Sequence, residues 1–152
     1  MSNEQLIIGI DAGTSMTKAV AFSLNGSEVT KASRSTRLHT PDNWIEADMD
    51  FVWEDVSACL REIADTVRKQ SLGVISAIGI TATGDGTWMM DTHGLPTRAG
   101  IMWCDGRSQA YVNAWHEDGT ARKAYGYCGT SVFPGTQAAQ IRWLMDNDAD
   151  AL

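Results

Sequence analysis

Leu6-Ile7-Ile8-Gly9-Ile10-Asp11-Ala12-Gly13-Thr14-Ser15-Met16-Thr17-Lys18-Ala19-Val20-Ala21-Phe22-Ser23 is the stretch whose reading decides the fold. Its first five residues form a short apolar run of the kind that fills a buried strand. The run stops at Asp11-Ala12-Gly13-Thr14-Ser15, a polar stretch that reads as a tight turn. Lys18-Ala19-Val20-Ala21-Phe22-Ser23 then reads as the returning strand. Asn25-Gly26 follows at once, and this pair favours a two-residue hairpin because both positions tolerate a positive φ. Residues 27–36 are therefore expected to be a third strand, and the three make an antiparallel meander.

Moving outward, residues 40–47 carry Pro41, Asp42 and Asn43 and read as a loop. Asp48 or Asp50 can then cap a helix in which Val52, Val56, Cys59, Leu60, Ile63 and Val67 share one face. Gly73 is placed to end that helix. Val74-Ile75-Ser76-Ala77-Ile78-Gly79-Ile80 is the run expected to be the most buried strand. Trp88-Met89-Met90 reads as another strand, closed by the turn Asp91-Thr92-His93-Gly94. Ile101-Met102-Trp103 is a short apolar segment, and residues 108–117 are expected to be helical. Residues 126–135 hold Gly126, Gly129, Pro134 and Gly135 and read as a loop. A last helix spans 137–147 with Ile141, Leu144 and Met145 inward. The order strand, strand, strand, helix, strand predicts an α/β domain with a mixed sheet and a ribonuclease-H-like opening. A doubly wound unit would place a helix directly after the first strand.

Composition narrows the function. The chain has 152 residues, room for one domain with a single core. Lys and Arg total 12 against 19 Asp and Glu, a net charge of −7. An acidic chain is a poor phosphate-backbone binder and a poor polybasic membrane ligand, so neither nucleic acid nor a membrane is an expected partner. Cys59, Cys104 and Cys128 are odd in number and widely spaced, which argues against a disulfide framework or structural zinc. Cys59 falls among apolar helix positions and reads as a small buried hydrophobe. His39, His93 and His116 share no ligand spacing. The first residues show no basic, then apolar, leader pattern, and no window is long and apolar enough for a membrane span. A reduced, cytoplasmic protein is expected.

Three constellations can carry chemistry. In Asp11-x-Gly13-Thr14-Ser15-x-x-Lys18, glycine lets backbone N–H groups approach phosphate oxygens and the hydroxyls add donors. A strand-end carboxylate can hold Mg²⁺, and Lys18 can neutralise phosphate charge. The spacing is not that of a Walker A loop. Gly84-Asp85-Gly86-Thr87-Trp88 follows a strand end, where ligands collect in α/β sheets. Asp85 can accept two polyol hydroxyls and Trp88 can wall the C–H face of a sugar. Trp103-Cys104-Asp105-Gly106-Arg107 gathers an aromatic ring, a carboxylate and a guanidinium. Taken singly, each pattern also fits an ordinary polar turn or a capped helix start.

Taken together and in this order, the three resemble the N-terminal region of the FGGY carbohydrate kinases. The resemblance rests on Ile8-Gly9-Ile10-Asp11-Ala12-Gly13-Thr14-Ser15-x-x-Lys18-Ala19 and on Trp44-Ile45-Glu46-Ala47-Asp48. It continues in Gly79-Ile80-Thr81 with Gly84-Asp85-Gly86-Thr87-Trp88, in Trp103-Cys104-Asp105-Gly106-Arg107 and in Trp143-Leu144, so it runs through nearly the whole chain. It implies the ribonuclease-H-like, actin-like ATPase fold and transfer of the ATP γ-phosphoryl group to a sugar or polyol hydroxyl with Mg²⁺. It implies that Asp11 holds the metal region, that Gly13, Thr14 and Ser15 cradle the phosphates, and that Lys18 lies near the transferred group. Asp85 matches the position that binds substrate hydroxyls in relatives, with Trp88 and Asp105 nearby.

Gly84-Asp85 stands where glycerol kinases carry an Arg-Glu pair and xylulokinases a Met-His pair. It is most similar to the erythritol kinase and L-xylulose kinase branch, so an erythritol-like polyol is the expected substrate. Family members are much longer, with the catalytic base late in the first domain and the adenosine pocket in a second. Residues 1–152 are accordingly expected to be the N-terminal part of the first kinase domain, without the base, inactive alone and prone to self-association. Two other readings share the fold: another actin-like ATPase, and a non-catalytic sensor or interaction module.

Overall fold

The computed structural model describes residues 4–152. These gather in two compact units where composition had pointed to one core. One unit takes the chain up to Arg37 together with Asp50–Thr83; the other takes Leu38–Met49 and Gly84–Leu152.

The first unit is built on the predicted meander. Strands β1 (Gln5–Ala12), β2 (Met16–Ser23) and β3 (Glu28–Ser35) pair antiparallel, and β6 (Val74–Ala82) joins β1 in parallel, giving the order β3-β2-β1-β6. Gly26 turns the β2–β3 hairpin at a φ of 88°, as its Asn-Gly signal requires. Alternation puts Leu6, Ile8 and Ile10 on one face of β1. Helix α1 (Met49–Lys69) lies over that face, with Cys59, Ile63 and Val67 buried against it. Ala19, Ala21 and Ala32 complete the cluster, and their small side chains leave room for the helix backbone. Each fully buried Leu or Ile here stabilises the unit by about 1.5–3 kcal/mol.

The end of α1 departs from the sequence expectation. Ser71, at φ 51°, takes the left-handed position assigned to Gly73. The Ser71 N–H reaches the Arg68 carbonyl and the Leu72 N–H reaches that of Val67, the paired bonds of a Schellman closure. Gly73 serves a different need, since a Cβ there would overlap the Glu4 carbonyl oxygen. That oxygen accepts the Val74 N–H at 2.8 Å, the bond that starts β6.

β6 is also not the most buried strand. Ile78 is 51% and Ile80 71% exposed. An apolar run is buried on both faces only when strands flank it and helices cover it. β6 is the edge of its sheet, and among the described residues nothing pairs with its outer side.

The second unit holds a small antiparallel sheet in the order β4-β5-β8-β7. Its strands are β4 (Leu38–His39), β5 (Glu46–Ala47), β7 (Gly86–Thr87) and β8 (Gly100–Met102). β5 lies at the end of the 40–47 stretch expected to be a loop, with β4 just before that stretch; the strand expected at 88–90 is reduced to a single bridge between Met90 and Pro96, and β7 stands just ahead of it. The turn at Asp91 forms as read: Asp91 Oδ1 accepts the N–H groups of His93 and Leu95. Helices α2 (Gln109–Glu117), α3 (Thr120–Cys128) and α4 (Gln137–Asn147) follow. α4 begins and ends where the sequence placed it, with Leu144 buried, while Met145 points outward at 54% exposure. α3 takes up the start of the expected 126–135 loop. Among the described residues no helix is long and apolar enough to cross a membrane.

Candidate functional site

In the first unit the 11–18 stretch forms a strand-to-strand turn. Asp11 closes β1 and lies in register opposite Lys18 of β2, and both side chains are exposed. The Gly13 N–H bonds the Met16 carbonyl at 3.1 Å. A Cβ at Gly13 would press on that same carbonyl oxygen, at 3.0 Å, and lie 3.6 Å from Asp11 Oδ1. Glycine therefore keeps the turn tight beside the carboxylate. Two threonines hold the turn from outside: Thr36 Oγ1 donates to the Gly13 carbonyl at 3.0 Å, and the Thr83 N–H donates to that of Ala12 at 3.0 Å. Asp11 and Lys18 also border an open trough of about 750 Å³ on the sheet face away from α1, floored by Ile7, Gly9, Val20 and Phe22. One carboxylate, one ammonium and a glycine-bounded turn with two hydroxyl residues, Thr14 and Ser15, is a donor set suited to phosphate oxygens and a hydrated cation.

In the second unit Asp85 is exposed on a turn flanked by glycines. Gly86 has a φ of 103°, and a Cβ there would lie 2.6 Å from the Ile101 carbonyl oxygen. Its N–H donates to the Gly135 carbonyl at 3.1 Å. Trp88 is half-buried and its ring lies over Gly100, where any Cβ would overlap it. The ring thus fills the space beside β8, whereas Trp103, at the end of β8, is 44% exposed. Gly135 packs so closely on the Trp103 carbonyl that a side chain there would overlap the oxygen. The 84–88, 103–107 and 133–135 segments are knitted together in this way.

Asp105 is buried, and both its oxygens are engaged. Oδ2 accepts the Ile45 N–H at 2.6 Å and Arg107 Nη2 at 2.9 Å; Oδ1 accepts the Arg107 N–H and Nε, each at 2.9 Å. The Arg107 guanidinium lies 4.2 Å from the Trp44 ring centre and 5.0 Å from that of Trp143, and these two rings pack edge to face. Nη2 also pairs with Glu46 at 2.8 Å, and Glu46 in turn pairs with Arg98. Three stretches far apart in sequence, 44–48, 103–107 and 143–144, therefore meet around one guanidinium. Asp105, expected near the substrate, has its oxygens taken up by Arg107 and by the N–H of Ile45, the residue just before β5. Thr87 belongs to the 84–88 constellation, but Gln140 has no place in the sequence reading, although it sits one helical turn before Leu144 and so occupies an inward position. An amide at such a position is the signal that was there to be read.

Comparison with known proteins matches residues 6–152 to the FGGY family of carbohydrate kinases, N-terminal domain. The chain is 29% identical over 144 residues to a glycerol kinase of Marinomonas sp., covering 93% of this chain and 29% of that protein. It is 29% identical to a probable L-xylulose kinase of Haemophilus influenzae, again over 93% of this chain and 29% of the relative. It is 30% identical over 155 residues to an erythritol kinase of Brucella abortus, covering 97% and 30%. Among solved structures, a xylulose kinase from Rhodospirillum rubrum superposes with a TM-score of 0.88 at 26% identity, over 96% of this chain and 30% of that one. The chain thus spans about 30% of the length of the curated relatives it matches.

Proposed function

Since the chain belongs to the FGGY family of carbohydrate kinases, we propose that it contributes the phosphate-binding turn and part of the acceptor site to the ATP-dependent phosphorylation of a polyol hydroxyl. The observation that carries this reading is the tethered 11–18 turn, with Asp11 and Lys18 in register across a glycine-bounded bend. In the reaction the γ-phosphoryl group breaks from ADP and bonds to the acceptor oxygen, whose proton passes to a base. Catalysis of this kind is largely positioning and charge stabilisation. Thr14 and Ser15 offer hydroxyl donors to the phosphates, Gly13 keeps the turn free of a side chain where they approach, and the Lys18 ammonium offsets their charge. Asp11 is the residue that would hold Mg²⁺. Among the described residues no three His, Cys, Asp or Glu side chains cluster as a metal cage. A single carboxylate would suffice for an ion whose other ligands are water and phosphate oxygens. Held there, the ion would supply charge neutralisation along the phosphates.

Asp85 accepts acceptor hydroxyls, and its exposed, glycine-flanked position suits a short polyol of the erythritol type. Glycerol, L-xylulose and erythritol kinases match the chain to about the same degree, so the choice among them rests on Gly84-Asp85. Trp88 backs the Asp85 turn, and Asp105 acts indirectly by anchoring the loop that carries Trp103. No carboxylate of this chain is assigned as the base, so the 152 residues alone are expected to release no ADP above background. The reaction belongs in the cytoplasm, where ATP is supplied.

A coupled ADP-release assay tests the reading. The protein that carries this chain is offered erythritol, other tetritols, xylitol, glycerol, L-xylulose and D-xylulose, with Asp85→Ala alongside. Turnover with a short polyol, lost in Asp85→Ala, is the expected result. Turnover indifferent to Asp85, or none with any of these acceptors, overturns it.

A further inference from the structure

We infer that Gln140 is a positioning residue for polyol recognition, its side-chain amide locking the strand that carries the Asp85 turn to the strand that carries Trp103. The inference rests on the proposed function only for the identity of the ligand. Gln140 is fully buried on α4. Its Oε1 accepts the Thr87 hydroxyl at 2.8 Å, and its Nε2 donates to the Met102 carbonyl at 2.9 Å. Only the NH₂ end of an amide can face a carbonyl, so the Met102 bond fixes the flip and turns Oε1 toward Thr87. Thr87 is two residues from Asp85, and Met102 directly precedes Trp103.

The same helix reaches the turn a second time. Gly86 donates to the carbonyl of Gly135, which lies two residues before α4 begins. Gly86 is thus held through the main chain and Thr87 through a side chain, from one end of one helix. Asp85 needs this support, because a turn flanked by Gly84 and Gly86 has little stiffness of its own. A leucine at 140 would fill the same inward position but take the acceptor from the buried Thr87 hydroxyl and a donor from the Met102 carbonyl. The amide therefore adds to packing two directed bonds that tie Thr87 of β7 to Met102 of β8, strands already paired through the main chain. Sites of this kind work only when such supports hold the contacting groups to within about half an ångström.

The test uses the protein that carries this chain, with steady-state kinetics on the polyol it turns over best. Gln140→Leu and Thr87→Val are each expected to raise the polyol KM roughly tenfold, as sub-ångström displacement of a contact would, with kcat and the KM for ATP nearly unchanged. Thr87→Ser restores the low KM that Thr87→Val loses. The double variant Thr87→Val/Gln140→Leu is no worse than Gln140→Leu alone, because that change already removes the Thr87 bond together with the Met102 bond. Equal losses in kcat and in both KM values, or full additivity in the double variant, overturn the inference. Amide hydrogen exchange without ligand separates this from the proposed function. Faster exchange at Gly86 and Thr87 in Gln140→Leu supports the lock even if Asp85→Ala leaves kinetics untouched and the polyol assignment falls. Unchanged exchange there overturns the lock whatever the substrate.

Discussion

Arg107 shows how much one side chain can organise. Its guanidinium and the Asp105 carboxylate are both fully shielded from solvent. Removing one partner strands a buried charge, so Arg107→Met is expected to cost about 3–5 kcal/mol in a urea titration. Replacing Asp105 as well is expected to recover part of the loss. Cys59 makes a pH prediction. Burial pushes its thiol pKa up, so the folded state keeps the proton after the unfolded chain has begun to lose it. The unfolded state then binds fewer protons, and stability falls as pH rises above about 8.5, the ordinary thiol value. Urea midpoints at pH 8 and pH 10 are expected to differ more in the wild type than in Cys59→Ala. Asp105 and Asp85 look alike in sequence, each three residues past a strand end and directly before a glycine. Only their surroundings separate them: one carboxylate is consumed by Arg107 and the Ile45 N–H, and the other stands in solvent.

Elements were legible to the degree that their cause is local. β1, β2 and β3 follow from an alternating apolar pattern and an Asn-Gly bend, and α1 and α4 from apolar residues at helical spacing. α3 was missed because Gly126 lies inside it, and glycine lowers helix propensity by about 1 kcal/mol relative to alanine. Gly119 and Gly129 flank that helix at positive φ and mark its true ends. The closure of α1 gives a prediction against first expectation. Ser71 holds a left-handed conformation that costs an L-residue about 1–2 kcal/mol, so Ser71→Gly is expected to stabilise the protein by up to that amount in thermal melts. Gly73→Ala is expected to do the opposite, since its Cβ would displace the Glu4 carbonyl that starts β6.

At the scale of the whole molecule, the two edges of the larger sheet differ. β3 carries Glu28, Lys31 and Arg34, with ion pairs from Lys31 to Glu28 and from Arg34 to Glu62. Such charges discourage a second sheet from docking. β6 has no charged residue along its nine positions, and it presents Ile78 and Ile80 to solvent. The isolated 152-residue chain is therefore expected to self-associate as concentration rises, and Ile80→Lys to suppress this. Sedimentation velocity across a concentration series checks it, and a monomer throughout would refute the expectation.

By itself the sequence determined the meander, the glycine-bearing turn at 11–18, the helices α1 and α4, and the family, because each rests on short-range patterns of polarity, glycine and spacing. The tertiary structure decided which face and edge of β6 stay open, which carboxylates are spent inside the protein, and that Trp44, Arg107 and Trp143 form one cluster. It also decided that Gln140 spans two strands. These depend on which distant residues become neighbours, and burial and hydrogen-bond partners are properties of neighbours rather than of the residue that has them.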